Sequence, residues 1–323
     1  MRAWLVERIT EEGEMRLADV PSPEPGPGQV LVQVEAAGLN FLDTLMPRGK
    51  YQFKPPLPFT PGVEVAGRVA KAGSGSRFKE GDRVAGAVPY GGFAEQAVVA
   101  DDSAMLLPDA LPSVESVGML TIYPTSHMAL KHRAGIKPGD TVLVHAGAGG
   151  VGSAAVQLAK AWGAKVIATA GGAEKVQMCR EIGADLAIDY KTEDWVEAVR
   201  TETGGKGCDI IYDPVGDTIG EQSVRLLAWG GRLLIVGFAG GKIPQLPANR
   251  FLLKNASAVG VYWGDWKKHH PDLAQEVLQD LFRMYEAGQI KPLIRERFPL
   301  SEAPAALESL GGRQSVGKVV LIP

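Results

Sequence analysis

Hydrophobic spacing divides the chain into two textures. In the first third, Gln29 to Ala36 and Val63 to Ala70 alternate or run apolar with β-branched residues, the spacing of strands with one or both faces covered. Turn-forming Gly, Pro and Asp residues over Pro21 to Gly28 and Ala72 to Asp82 separate them, so this part reads as an antiparallel, barrel-like unit. From about Gly118 short apolar strands alternate with amphipathic helices. Strands are expected at Thr141 to His145, Lys165 to Thr169, Leu186 to Asp189, Asp209 to Tyr212 and Arg232 to Val236. Helices are expected at Val151 to Trp162, Ala173 to Ile182, Trp195 to Thr201 and Glu221 to Leu227. Such alternation implies parallel βαβ units and a doubly wound Rossmann sheet. A further strand over Ala256 to Trp263 precedes a long helix from Pro271 to Ala287, opened by its proline and stopped by Gly288. The tail returns to barrel texture and ends in a strand from Gly317 to Ile322. The α/β part (119–288) therefore reads as an insertion between two parts of a β-rich domain (1–118 and 289–323).

At 323 residues, 45% hydrophobic and 22% charged, the chain is long enough for two cores and too apolar for general disorder. A formal net charge of −3 gives no broad cationic field, which argues against nucleic acid as a partner. No apolar run approaches the roughly 20 residues of a bilayer span. The opening Met1-Arg2-Ala3-Trp4-Leu5-Val6-Glu7-Arg8 becomes charged too early for a signal peptide, so a cytoplasmic location without membrane attachment is expected. Cys179 and Cys208 fall in a helix and a strand without CxxC spacing and read as buried thiols.

The sharpest chemical signal is Thr141-Val142-Leu143-Val144-His145-Ala146-Gly147-Ala148-Gly149-Gly150-Val151-Gly152, which opens the helix ending at Trp162. It holds GxGxxG at Gly147, Gly149 and Gly152, after an apolar strand and before a helix. In that context the first glycine permits the tight turn, the second lets backbone approach a pyrophosphate, and the third lets helix and strand pack closely. The helix N-terminus then offers unpaired N–H groups and a positive dipole end to phosphate, which implicates Gly150 and Val151. Cofactor type is read at the end of the next strand, where a carboxylate would hold the ribose 2′-hydroxyl of NAD. Here the chain runs Ala170-Gly171-Gly172-Ala173 with no acid until Glu174, and Lys175 can pair with a 2′-phosphate, so NADPH is favoured.

A catalytic zinc needs three side-chain ligands with a fourth position open. The cysteines lie in the α/β part, and the histidines are His127, His132, His145, His269 and His270, of which the last two follow Lys267-Lys268 in what reads as an exposed basic turn. Metal-assisted hydride chemistry is not expected. Without a metal, the easiest hydride acceptor is one whose electrons already delocalise, such as an enone, enal, enoyl thioester or quinone, and the protein must supply donors to the developing enolate.

Several stretches carry a resemblance over essentially the whole chain: Ala36-Ala37-Gly38-Leu39-Asn40-Phe41-Leu42-Asp43, Gly49-Lys50-Tyr51, Pro61-Gly62-Val63-Glu64-Val65-Ala66-Gly67, Phe78-Lys79-Glu80-Gly81-Asp82-Arg83-Val84 and the glycine-rich turn. In order and spacing they resemble the zinc-independent quinone oxidoreductase, zeta-crystallin-like branch of the medium-chain dehydrogenase/reductase superfamily. The resemblance implies a GroES-like catalytic domain, NADPH and a homodimer. It also implies that Asn40, Val63 and the vicinity of Thr121 stand where zinc-dependent relatives carry metal ligands. By the same resemblance Asn40 and Tyr51 line the nicotinamide cleft as the catalytic pair, and Thr125 contacts the nicotinamide. Lys175, Tyr190 and Arg313 surround the 2′-phosphate and adenine, and Phe238 flanks the cofactor.

The segment Gly260-Val261-Tyr262-Trp263-Gly264-Asp265-Trp266-Lys267-Lys268 is similar to mitochondrial enoyl-thioester reductases, in which aromatics near Tyr262 and Tyr51 border an acyl site. The edge strand near 256–263 is equally the expected dimer contact, since an edge otherwise exposes unpaired backbone. Reduction of quinones or other conjugated carbonyls is thus the leading expectation, with an enoyl-thioester reductase as the alternative. From another class comes a non-catalytic NADPH-binding or RNA-binding protein, against which the absence of a basic stripe counts.

Overall fold

The computed structural model describes residues 1–312 and 314–323. The chain forms two compact units, 1–121 with 292–323, and 122–291, against boundaries of 118 and 288 expected from the sequence. The first unit opens with β1 (Arg2–Leu5) and β2 (Arg16–Asp19), paired antiparallel. β3 (Gln29–Gly38), β4 (Glu64–Ala72), β5 (Arg83–Ala87), β6 (Gln96–Ala100) and β7 (Ala104–Leu106) follow. The second unit carries β8 (Thr141–Val144), β9 (Lys165–Ala170), β10 (Leu186–Asp189), β11 (Cys208–Asp213), β12 (Leu227–Ile235) and β13 (Ser257–Gly260). The chain then re-enters the first unit with β14 (Glu296–Pro299) and β15 (Val319–Ile322).

That return is made by pairing, because β15 lies antiparallel to β3 and parallel to β14. The first unit's main sheet runs β14-β15-β3-β4-β5-β7, with β6 also on β3. Alternation sends Val30, Val32 and Val34 into a core with Trp4, Val65, Val69, Phe78, Phe93 and Leu321, while Gln33 and Glu35 point to solvent. In the second unit the strands run parallel in the order β10-β9-β8-β11-β12-β13. Helices Gly150–Ala161, Ala173–Glu181 and Trp195–Glu202 connect them. Val142, Leu143, Val166, Ile167, Ile210 and Ile211 are wholly buried, as expected of strands covered on both faces. Helix Pro271–Glu286 buries Ala274, Val277, Leu281 and Met284, a single stripe at helical spacing. Among the described residues no helix is long and apolar enough to cross a membrane.

Some local expectations change. The strand expected to run to Trp263 stops at Gly260, and Trp263 opens a helix to His269, so the basic run Lys267–His269 is helical. Trp263 and Trp266 stack there with centroids 5.7 Å apart, and this local aromatic packing overrides the β-propensity of the Val-Tyr-Trp run. The helix expected at Glu221 to Leu227 begins earlier, at Asp217, and gives way to a tight 3-10 turn before Leu227 enters β12. Cys179 and Cys208 are buried, and burial pushes both thiols up to about 12.

His145 fixes the end of β8, immediately before the glycine-rich turn. Its Nδ1 lies 2.9 Å from Thr169 Oγ1 and its Nε2 2.8 Å from Ser223 Oγ, while Ser223 Oγ donates to Ile219 O at 2.7 Å. Since the Ser223 proton is committed to Ile219, Nε2 carries hydrogen and donates to Ser223, and Nδ1 accepts from Thr169. Burial pushes this imidazole down to about 4. A histidine held below its unfolded value gives stability that is present above about pH 6.5 and is lost as pH falls toward 4. Urea unfolding of the wild type at about pH 7 and about pH 5 should therefore show a larger loss than His145→Gln, by up to about 1.4 kcal/mol per pH unit. Identical losses in the two proteins would contradict a neutral, buried His145.

Candidate active site

The glycine-rich turn joins β8 to helix Gly150–Ala161, with Gly149 in extended conformation as its N-cap. The left-handed residue of the turn is Ala146, at φ 51°. What Gly147 supplies is room: a Cβ there would lie 2.8 Å from Ala168 Cβ and 3.0 Å from Cys179 Sγ. At Gly152 a Cβ would collide with Ala146 O, so the third glycine lets the helix sit on the turn as expected. Gly149 meets only Ala146 O, at 3.2 Å, and is otherwise open. The first-turn N–H groups of Gly150, Val151 and Gly152 have no intrahelical acceptor and suit an anion. Thr125 lies buried on helix Ile122–His127, tied to this helix start by its neighbour Ser126, whose Oγ is 2.9 Å from Val151 O and 2.8 Å from Tyr212 Oη.

The ends of β9 and β10 form the neighbouring surface. Beyond Ala170, Gly171 lies against Tyr190, whose Oη would be 2.6 Å from a Cβ at that position, and Gly172 takes φ 99°. Asp189 Oδ1 accepts the N–H of Gly172 at 2.9 Å and of Lys191 at 3.0 Å, which holds its carboxyl below the usual range. This acid is occupied with backbone, and Lys175 stands in the first turn of helix Ala173–Glu181. Phe238 follows β12 and packs on Gly216, where a Cβ would lie 2.9 Å from its ring. Asp213 shapes that turn by accepting the N–H of Val215 at 2.8 Å and of Gly216 at 2.9 Å. Arg313 lies outside the described residues.

In the first unit the sequence after β3 turns into a short helix, Phe41–Leu45, capped by Asn40 and Asp43: the Asn40 N–H donates to Asp43 Oδ2 at 2.7 Å. Lys318, just before β15, donates to Asn40 Oδ1 at 2.7 Å and lies 2.5 Å from Glu64 Oε2 on β4. Asn40 is 7% exposed, Lys318 2%, and Asp43 and Glu64 are fully buried. Asn40 Nδ2, a buried donor, has no partner among the described residues. Sequence reasoning found Asn40 and missed Asp43, Glu64 and Lys318, although all three carry a signal. Each is a charged residue inside or next to an apolar run, two of them within the stretches quoted for the resemblance.

Tyr51 packs with Leu42, Val63 and Tyr90 on a separate small core of Val6, Met46 and Phe59. Val63 is thus set among apolar and aromatic side chains. Among the described residues no group of His, Cys, Asp and Glu could together hold a metal ion.

Burial raises the Asp43 carboxyl to about 7, against the opposing pull of the Asn40 N–H and the Lys318 ammonium. A carboxyl held above its unfolded value gives stability that is complete below about pH 4 and lost as pH rises through 7. Asp43→Asn keeps an acceptor for the Asn40 N–H and cannot ionise. Its unfolding free energy relative to wild type should rise between about pH 4 and about pH 8, measured by urea denaturation. A difference that does not change with pH would contradict the buried, partly protonated acid.

Residues 26–109 match the alcohol dehydrogenase GroES-like domain and residues 150–281 the zinc-binding dehydrogenase family. The chain is 41% identical over 300 residues to the quinone oxidoreductase-like protein 2 homolog of Nematostella vectensis, covering 92% of this chain and 82% of that one. It is 35% identical over 309 residues to the quinone oxidoreductase of Sus scrofa, covering 94% and 92%. The crystal structure of Escherichia coli quinone oxidoreductase complexed with NADPH superposes with a TM-score of 0.93 at 30% identity, over 100% of both chains. With the parallel sheet, the glycine-rich turn and the polar cluster around Asn40, these similarities establish that the chain belongs to the quinone oxidoreductase family of medium-chain dehydrogenases/reductases.

Proposed function

We propose that this protein transfers a hydride from NADPH to a quinone or another conjugated carbonyl compound, and that it does so without zinc. The observation that carries the reading is Asn40. Where the resemblance puts the first metal ligand of zinc-dependent relatives, an amide stands with its oxygen bound to Lys318 and its buried Nδ2 left over as a donor. Val63, at the second ligand position, packs in an apolar cluster. A preorganised donor in a low-dielectric site can stabilise charge on a carbonyl oxygen, which is the task a zinc ion performs elsewhere.

The second unit suits NADPH. The structure of the Escherichia coli relative was solved with that cofactor. The pyrophosphate fits the N-terminus of helix Gly150–Ala161, beside the open face of Gly149. The 2′-phosphate fits Gly171, Lys175 and Tyr190, while Asp189 Oδ1 is taken up by the N–H groups of Gly172 and Lys191. Bound NADPH supplies the hydride. Asn40 Nδ2 donates to the acceptor oxygen as negative charge builds on it, Tyr51 offers the hydroxyl proton that completes an enol, and Thr125 positions the nicotinamide. On an enone or enoyl compound the hydride would add at the β-carbon with its two electrons, and the resulting enolate would take one proton at the α-carbon or at oxygen, so that the products are NADP⁺ and the reduced acceptor.

The reading extends to a homodimer through β13. This strand ends the second unit's sheet with Ser257, Ala258 and Gly260 exposed. Trp229 on β12 and Leu252 and Leu253 just ahead of β13 are 75%, 80% and 71% exposed, an apolar surface that a second copy would cover.

Lys175→Ala should weaken NADPH binding by about tenfold or more and leave NADH binding nearly unchanged, because only NADPH has a phosphate for the ammonium. Equal losses in fluorescence titrations would remove Lys175 from the 2′-phosphate site. Tyr51→Phe keeps the ring in its cluster and deletes one hydroxyl. Turnover of an enoyl substrate should then fall by roughly a hundredfold, the usual loss of a positioned acid, whereas a quinone, which takes solvent protons readily, should lose far less. A large loss with quinones as well would contradict their taking protons from solvent, and wild-type turnover throughout would show Tyr51 to be lining only.

A further inference from the structure

We infer that Lys318 is the residue that sets which end of the Asn40 amide faces the substrate, a role resting on the reading of Asn40 as the donor to the acceptor oxygen. An asparagine amide has a donor end and an acceptor end of nearly the same shape, and only one of them helps when negative charge builds on a carbonyl oxygen. Presented the wrong way, Oδ1 would repel that charge.

The chain resolves this ambiguity with a buried cation. An ammonium has three donors and no acceptor, so the amide atom it can bond is Oδ1, and Nδ2 is left for the other side. Lys318 Nζ lies 2.7 Å from Asn40 Oδ1 and is itself 2% exposed. Glu64 Oε2, 2.5 Å away and itself fully buried, holds the ammonium from the other side, so Nζ has a fixed place between the carboxylate and the amide oxygen. The backbone makes room for the pair. At Gly38, the last residue of β3, a Cβ would collide with Glu64 Oε2 and lie 2.9 Å from Lys318 Cε. The other end of Asn40 is fixed by its own N–H, which donates to Asp43 Oδ2. Backbone and side chain of the same residue are thus pinned from opposite partners, and the Nδ2 group is the one left unsatisfied in a buried position. Lys318 touches neither reacting carbon nor oxygen in this scheme; it is a positioning residue.

The test must separate orienting Asn40 from merely neutralising Glu64. The double variant Lys318→Met with Glu64→Gln removes both charges together, so no lone buried carboxylate remains. It should lower kcat for a quinone by about tenfold or more, as expected when a donor to a developing oxyanion loses its orientation. Binding of NADPH, read by fluorescence, should stay within about twofold, because that cofactor is held by the second unit. In an Asn40→Ala background the same double substitution should cost no further kcat, since the group it orients is gone. Two results would overturn the inference while leaving Asn40 in its role: wild-type kcat in the double variant alongside a large loss in Asn40→Ala, or losses that multiply when combined. Wild-type kcat in Asn40→Ala would instead overturn the reading of Asn40, and this inference with it. Should the double variant not fold, the wild-type protein decides. The Asn40 side-chain amide resonances, assigned by their disappearance in Asn40→Ala, should show restricted motion in NMR relaxation, and a freely reorienting amide would overturn the proposal.

Discussion

A lysine ammonium buried between a carboxylate and an amide oxygen is tolerable only if both of those groups stay where they are. Lys318 sits just before the last strand, Glu64 starts β4, and Asn40 and Asp43 turn the chain after β3, so the charge cluster pins together the segments whose pairing builds the first unit's sheet. Removing one member of such a pair typically costs about 3–5 kcal/mol, because the other is left charged and dry. The cluster adds little stability that packed hydrophobic residues could not supply. Its value lies in orientation: it delivers one polar group, Asn40 Nδ2, in a defined direction without flexible solvent-exposed arms.

The second unit obeys a different constraint, close approach of backbone to backbone. Ala146 O faces Gly152 so closely that no side chain fits between them, and Gly147 leaves room for the side chains of Ala168 and Cys179. The turn is tight enough that a non-glycine residue, Ala146, adopts a left-handed conformation. His145, held at both ring nitrogens, fixes the strand end from which the turn departs. These contacts leave the helix N-terminus and the open face of Gly149 as the surface an anionic cofactor meets, and the glycines at 171 and 172 extend it without adding a free carboxylate.

Much of this was legible in the order of residues, for physical reasons that differ by element. Strands buried on both faces, such as Thr141–Val144 and Leu186–Asp189, announce themselves as short apolar runs between turn residues. The Pro271–Glu286 helix shows a clean stripe with its proline start. The run after β13 misled because Val261, Tyr262 and Trp263 have high β-propensity, whereas Trp263 opens a helix in which it stacks on Trp266, a pairing at helical spacing that β-propensity does not report. Asn40 was visible through its segment. Lys318 was not, because its meaning depends on a strand pairing that brings it 278 residues back along the chain. Periodicity reports which face is buried; it does not report which buried charge will find a partner.

In the proposed reaction a protein amide, rather than a metal ion, stabilises the negative charge that builds on the acceptor oxygen. The most direct measurement is the rate of NADPH oxidation with a quinone by protein whose zinc content is determined in the same sample, before and after exhaustive chelation. The account predicts undiminished turnover with far less than one zinc per chain. Turnover that falls with the zinc and returns when zinc is restored would contradict it.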